Sequence, residues 1–382
     1  MTDRLRRVGL AVLLCFGAAL ARAAEVPATV YVGTYTDGTS RGIYRFSLDL
    51  ASGKATPPVL AAEAKNPSFL ALHPSGRFLY AVSEVDELGG AKTGAVLAFA
   101  IDAKTGDLTL LNQQASEGTG PCHLVVDKTG RHALVANYGG GTVAVLPIEA
   151  GGRLGPASCV RVHEGSGPNK GRQQKPHAHG IYLDAAERFA FSPDLGADRV
   201  FSYRFDAAKG TLEPHAAAPI EPGSGPRHLA FHPSGRFAFV ITELANTITA
   251  FGYDAAKGEL SPLQTVKALP EGFTGTSYTA EIEVSPDGRF LYGSNRGHDS
   301  LVVFKVDVTS GRLALAGHAP VGGSWPRHFA IDDSGRVLLA AHQRSASISF
   351  FRLDPTTGLP GPLGAPVAVD RPACVLPVPA PR

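Results

Sequence analysis

Apolar and polar positions alternate in short bursts along the chain, and the bursts recur on one plan. Segments 67–84, 121–138, 176–195, 226–244, 278–297 and 326–344 each read as an apolar run, a turn that usually ends in Gly-Arg, and a second apolar run finishing on polar residues. Gly76, Gly130, Gly235, Gly288 and Gly335 fall where a tight hairpin needs a positive φ. Runs such as Phe78-Leu79-Tyr80-Ala81-Val82 then supply β-prone residues. A second hairpin follows each first one, and seven second hairpins start near residues 42, 94, 142, 199, 247, 301 and 347. The missing seventh first hairpin is supplied by the ends of the chain. Residues 28–36 resemble its finish and residues 371–375 its start, so the two termini are expected to close one blade. The pattern predicts an all-β, seven-bladed β-propeller closed by pairing of N- and C-terminal strands.

A propeller sorts polar residues by position. The first strand of each blade lies innermost, so the entry to strand one and the exit from strand two share a face, while the Gly-Arg turns lie on the other. Arg77, Arg131, Arg188, Arg236, Arg289 and Arg336 repeat at equivalent turn positions, which assigns them to bracing the hairpins. The shared face collects irregular residues instead: His123, His177, His179, Arg227, His228, Glu243, Arg296, Arg327 and His328. Arg227 and Arg327 occupy a slot held by Ser68 and Cys122 elsewhere. Asymmetry within a symmetric fold points to a site.

Composition narrows the partners. With 44 % hydrophobic and 18 % charged residues, 44 Gly and 29 Pro, the chain is folded and rich in turns. Residues 25–382 are expected to form a single domain. Arg4, Arg6 and Arg7 precede a short apolar run that ends at Ala21-Arg22-Ala23-Ala24, so residues 1–24 have the form of a secretory signal peptide. A periplasmic or secreted protein is expected, with no membrane association after cleavage. Three cysteines remain, Cys122, Cys159 and Cys374, an odd number that makes no disulfide framework. A formal net charge of +2 without a basic run argues against nucleic acid. No Gly-x-Ser-x-Gly is found at a strand-to-helix turn and no C-x-x-C-H haem motif occurs, and the Gly139-Gly140-Gly141 run lacks the lysine of a phosphate loop. His177 and His179 are two apart on an expected strand but have no evident third metal ligand, so no metal and no cofactor are expected.

Several stretches together, namely YVGTYT, GIYRF, ANYGGGTV, RQQKPHAHG, PDLGADRV, GPRHLAFHP, ITELANT and SNRGHDS, resemble the propeller lactonase family. That family includes 6-phosphogluconolactonase and carboxy-muconate cyclase types, and the resemblance covers nearly the whole of residues 25–382. It implies a carboxylic ester hydrolase in which His179, Arg227, Glu243 and Arg296 are catalytic, acting on a small-molecule lactone; a monomer is expected. His123, His177, His228, Arg327 and His328 would then shape the substrate site. Lactone opening needs a base to activate water and donors for the oxyanion. Glu243 is favoured as base or proton shuttle with His179 as its partner, though the two roles stay open, and the arginines suit the oxyanion or a carboxylate or phosphate. Export shifts the expected substrate from a phosphorylated sugar lactone to an unphosphorylated one such as gluconolactone. A non-catalytic ligand- or protein-binding propeller and a muconate-type lactonising enzyme are the alternatives.

Overall fold

The structure, a computed structural model, describes residues 27–378; the expected signal peptide at 1–24 lies outside them. These residues form seven antiparallel sheets and no helix. The first blade is the one closed by both ends of the chain. Pro372–Val378 pairs with Ala28–Thr34, which continues outward to Gly42–Leu48 and Val59–Glu63. The other six follow in order along the chain. The seventh blade gains an extra strand because Pro360–Pro362 and Val367–Ala368 both pair with Ser347–Leu353.

Burial explains why the second strands read as unbroken apolar runs. Each is wedged between two neighbouring blades, and Phe237–Thr242 and Val337–His342 are buried at every position. A strand covered on both faces has no reason to alternate. The outermost strands, such as Glu259–Lys267, do face water on one side and mix exposed with buried positions. Accordingly the core is not one mass. Seven apolar clusters sit one between each pair of adjoining blades, for example Phe239, Ile241, Leu291 and Phe304 between the fifth and sixth.

The repeated turn arginines stitch these wedges together. Arg131, Arg188 and Arg236 donate to the carbonyl oxygens of Ala207, Ala255 and Val308, each in the outer turn of the next blade. Beside them, aromatic rings such as Phe189 press on that same turn. A Cβ at Gly258, where φ is +72°, would lie 2.3 Å from Phe189, so only glycine fits. The bracing role read from the sequence is thus a contact between blades as well as within one.

Because the terminal ladder closes the ring, deleting residues 372–382 leaves Ala28–Thr34 with an unpaired edge. The truncated protein is expected to melt roughly 10 °C or more lower, or to aggregate, by circular dichroism and size-exclusion chromatography.

Candidate active site

A regular strand turns consecutive side chains to opposite faces. Here the innermost strands depart from that rule. In Pro226–Phe231 the pairing with Phe237–Thr242 slips between Pro226 and His228, leaving Arg227 on a bulge. Arg227 and His228 therefore both reach inward, and the nitrogens Nη1 and Nε2 of the two side chains lie 3.2 Å apart. The same slip occurs at Cys122 and at Arg327. Glu243 follows the buried strand Phe237–Thr242, its amide anchored on the Gly225 carbonyl, and Arg296 ends strand Phe290–Arg296. His179 lies in an extended segment ahead of the short strand Tyr182–Leu183, not within a ladder as the sequence suggested; a single bridge at Ala178 and the bond from its amide to Pro193 fix it.

Glu243 is the hub. Its Oε2 accepts from Arg296 Nη2 at 2.7 Å and lies 3.2 Å from Arg227 Nε and 4.0 Å from His179 Nε2. Its Oε1 accepts from Arg172 Nη2 at 2.7 Å. The Arg227 Nε–H is close to the carboxylate but not aimed at it, so that contact is one of charge rather than a hydrogen bond. Arg227 and Glu243 thus form an ion pair as part of a larger group. Glu243, Arg227, Arg296 and His179 are all nearly sealed from solvent. Burial alone would raise the Glu243 pKa, but Arg296, Arg227 and Arg172 outweigh it and hold the carboxyl down to about 2. Burial and the Arg227 charge push His179 the other way for a base, well below its ordinary value, so the imidazole is neutral at pH 7. Arg296 is lowered to about 10 by burial and still carries its charge. Three guanidiniums against one carboxylate leave the site positive.

Arg172 was missed in the sequence, although it stands in the RQQKPHAHG stretch. It comes from loop 164–176, and only that loop's fold over the channel brings it in. The buried side chain of Gln173, bonded to the Leu195 carbonyl, pins the loop. Arg172 Nη2 also donates to the Tyr138 hydroxyl at 3.1 Å.

Deeper in the channel, His228 Nδ1 lies 2.9 Å and 3.0 Å from the two oxygens of Glu281, whose Oε2 is 3.4 Å from His328 Nε2. His123 stacks between Phe69 and Tyr182 at 4.3 Å and 4.6 Å. These three histidines line the channel beneath the site, and burial lowers the pKa of each. On the far side, Arg327 donates to the Tyr35 hydroxyl, which donates to Glu84. His177 stands apart: it is half-buried, stacked on Tyr138 at 4.4 Å, with Nδ1 against the Tyr138 carbonyl. Asn137 and Asn295, also on this face, are committed to backbone and hydroxyl partners.

Fold and site together define a propeller whose channel mouth holds a buried His-Arg-Glu-Arg cluster with excess positive charge. The chain belongs to the family described as "Lactonase, 7-bladed beta-propeller", whose profile matches residues 29–377. It is 39 % identical over 345 residues to the 6-phosphogluconolactonase of Bacillus subtilis, covering 90 % of this chain and 97 % of that one. The 6-phosphogluconolactonase of Formosa agariphila is 38 % identical, over 86 % of this chain and 93 % of its own. Among solved structures, the periplasmic gluconolactonase of Pseudomonas aeruginosa superimposes with a TM-score of 0.87 at 36 % identity, covering 93 % of this chain and all of that one.

Replacing Glu243 with Gln leaves the arginines without their buried counter-charge, and is expected to destabilise the protein by about 3 kcal/mol at pH 7 in urea titration. The carboxyl's pKa is depressed in the folded state, so its contribution is full above the ordinary glutamate value of 4.5 and fades as pH falls toward 2. The gap between Glu243→Gln and wild type should therefore narrow across that window.

Proposed function

We propose that the protein hydrolyses an unphosphorylated sugar lactone, gluconolactone or a close relative, outside the cytoplasm. The observation that carries the chemistry is a neutral buried imidazole beside a carboxylate that three guanidiniums hold ionised. Both oxygens of Glu243 are engaged by guanidiniums, whereas His179 Nε2 has only the 4.0 Å approach to Glu243, which favours His179 over Glu243 as the base. Glu243 serves better as the fixed negative charge that stabilises the imidazolium when it forms, 4.0 Å away, and that holds Arg227 and Arg296 in place.

In this reading water attacks the ring carbonyl carbon while His179 Nε2 takes its proton. The carbonyl electron pair moves onto oxygen. Arg227 Nη2 and Arg296 Nη1, which have no hydrogen-bond partner among the described residues, are free to receive that charge. Collapse breaks the ring C–O bond, and the imidazolium returns its proton to the departing alkoxide. The product is the open-chain hydroxy acid, which loses its carboxyl proton to solvent. The signal-peptide form of residues 1–24 supports placement outside the cytoplasm, and so do the properties named for the Pseudomonas relative. Sugar oxidation outside the cytoplasm supplies unphosphorylated lactones, which favours gluconolactone over its 6-phosphate.

Purified protein lacking residues 1–24 is expected to open glucono-1,5-lactone faster than its 6-phosphate and faster than a muconolactone. No acceleration over buffer on any of the three would sink the enzyme reading and leave the binding propeller. His179→Gln should lower kcat by roughly 10²- to 10⁴-fold. Activity needs the neutral imidazole, so the acid limb of the wild-type kcat/KM profile should lie well below pH 6.5 and be absent from the residual activity of His179→Gln. Cell fractionation with mass spectrometry of the mature N-terminus checks the location.

A further inference from the structure

Five blades enter their innermost strand through a proline whose preceding residue is left-handed: Asn66, Gly120, Gly225, Trp325 and Arg371, with φ between +43° and +68°. The fold thus favours this backbone conformation at the entry to a blade, and glycine meets it without strain at two of the five positions. It does not require tryptophan. A bulky aromatic residue is among the least suited to φ of +68°, and such strain persists only where the surroundings impose it. They do so here: the Trp325 amide donates to Asp299 Oδ1 at 2.8 Å, and its carbonyl accepts from the Gln343 amide at 3.0 Å.

What the strain positions is an indole at the edge of the site. The exposed Arg344 guanidinium lies 3.4 Å from the ring centroid, the buried Arg296 guanidinium 5.5 Å from it, and Tyr278 meets the ring edge-on. The half-buried indole therefore stands between solvent and the arginine that carries the unpartnered Nη1. Its own Nε1–H has no partner among the described residues, and with the exposed Arg344 guanidinium swung off the ring the side chain offers a flat apolar face with a donor at its rim. The ring of a sugar lactone has the matching character, with C–H groups on its faces and hydroxyls around its edge.

We propose that Trp325 is a specificity-determining wall of the site, packing its indole against the C–H face of the lactone ring and donating Nε1–H to a ring hydroxyl. The proposal rests on the sugar-lactone reading above. It assigns ring recognition to Trp325 and leaves the chemistry to the buried cluster.

The chain contains a single tryptophan, so its emission reports on this side chain alone. Titration of the protein lacking residues 1–24 with glucono-δ-lactam, a ring analogue that resists hydrolysis, should change the emission saturably. Open-chain gluconate should bind roughly tenfold more weakly or worse. Trp325→Gly, at a φ that glycine adopts freely, should melt no lower than wild type while raising KM for the lactone roughly tenfold, with kcat altered less than about threefold. Trp325→Phe should fall between the two, and it carries the KM comparison if the glycine variant does not fold. An unchanged KM in a folded variant, or no emission response at saturating lactam, overturns the proposal. A wild-type protein that opens no lactone overturns the functional reading instead, and the emission titration still decides whether the indole binds a ring.

Discussion

One buried carboxylate organises the channel mouth. Glu243 gathers Arg172 from the loop between the third and fourth blades, Arg227 from the fifth blade and Arg296 from the sixth, with His179 of the fourth beside them. Guanidiniums as deeply buried as those of Arg227 and Arg296 need a counter-charge and carbonyl acceptors for some of their protons. Ala280, Thr279 and Tyr278 supply those carbonyls, all from the head of one innermost strand. The shape of that strand, the charge of the arginines and the depressed pKa of the carboxyl are thus one problem with one solution.

Beneath this charged layer lies a cluster of histidines around the buried Glu281. Burial keeps His123, His228 and His328 from protonating, and Phe69 and Tyr182 fill the space between rings. Such a floor excludes bulk water from below, so the positive charge above is not diluted by solvent on both sides.

The fold was legible because repetition reveals it. The Gly-Arg turns at Gly76, Gly130, Gly235, Gly288 and Gly335 mark hairpins whatever their neighbours do, and the split terminal repeat announces ring closure. Which face each residue occupies was legible too, since it depends only on the zigzag of the blade, and His179, Arg227, Glu243 and Arg296 do converge. The limits lay in the bulges and the loops. Strict alternation would have sent one of Arg227 and His228 away from the channel, and nothing in the letters Pro-Arg-His announces the extra residue that admits both. Arg172 sits in an irregular stretch whose path is set by one buried glutamine, a tertiary contact without a periodic signature. The balance between Glu243 and His179 also needed distances, because a carboxyl's basicity depends on how many cations surround it. His177, by contrast, looked equivalent to His179 and is drawn off by stacking on Tyr138.

The closing ladder between Ala28–Thr34 and Pro372–Val378 has a consequence for how the molecule is made. Its partners lie at opposite ends of the chain, the longest sequence separation available, and such contacts form late because the intervening chain must first be ordered. During folding six blades can each assemble from neighbouring residues, while the first waits with its inner edge bare until Pro372–Val378 docks. Docking of that strand is then the step at which the channel becomes a ring, and no intermediate without it has a complete one.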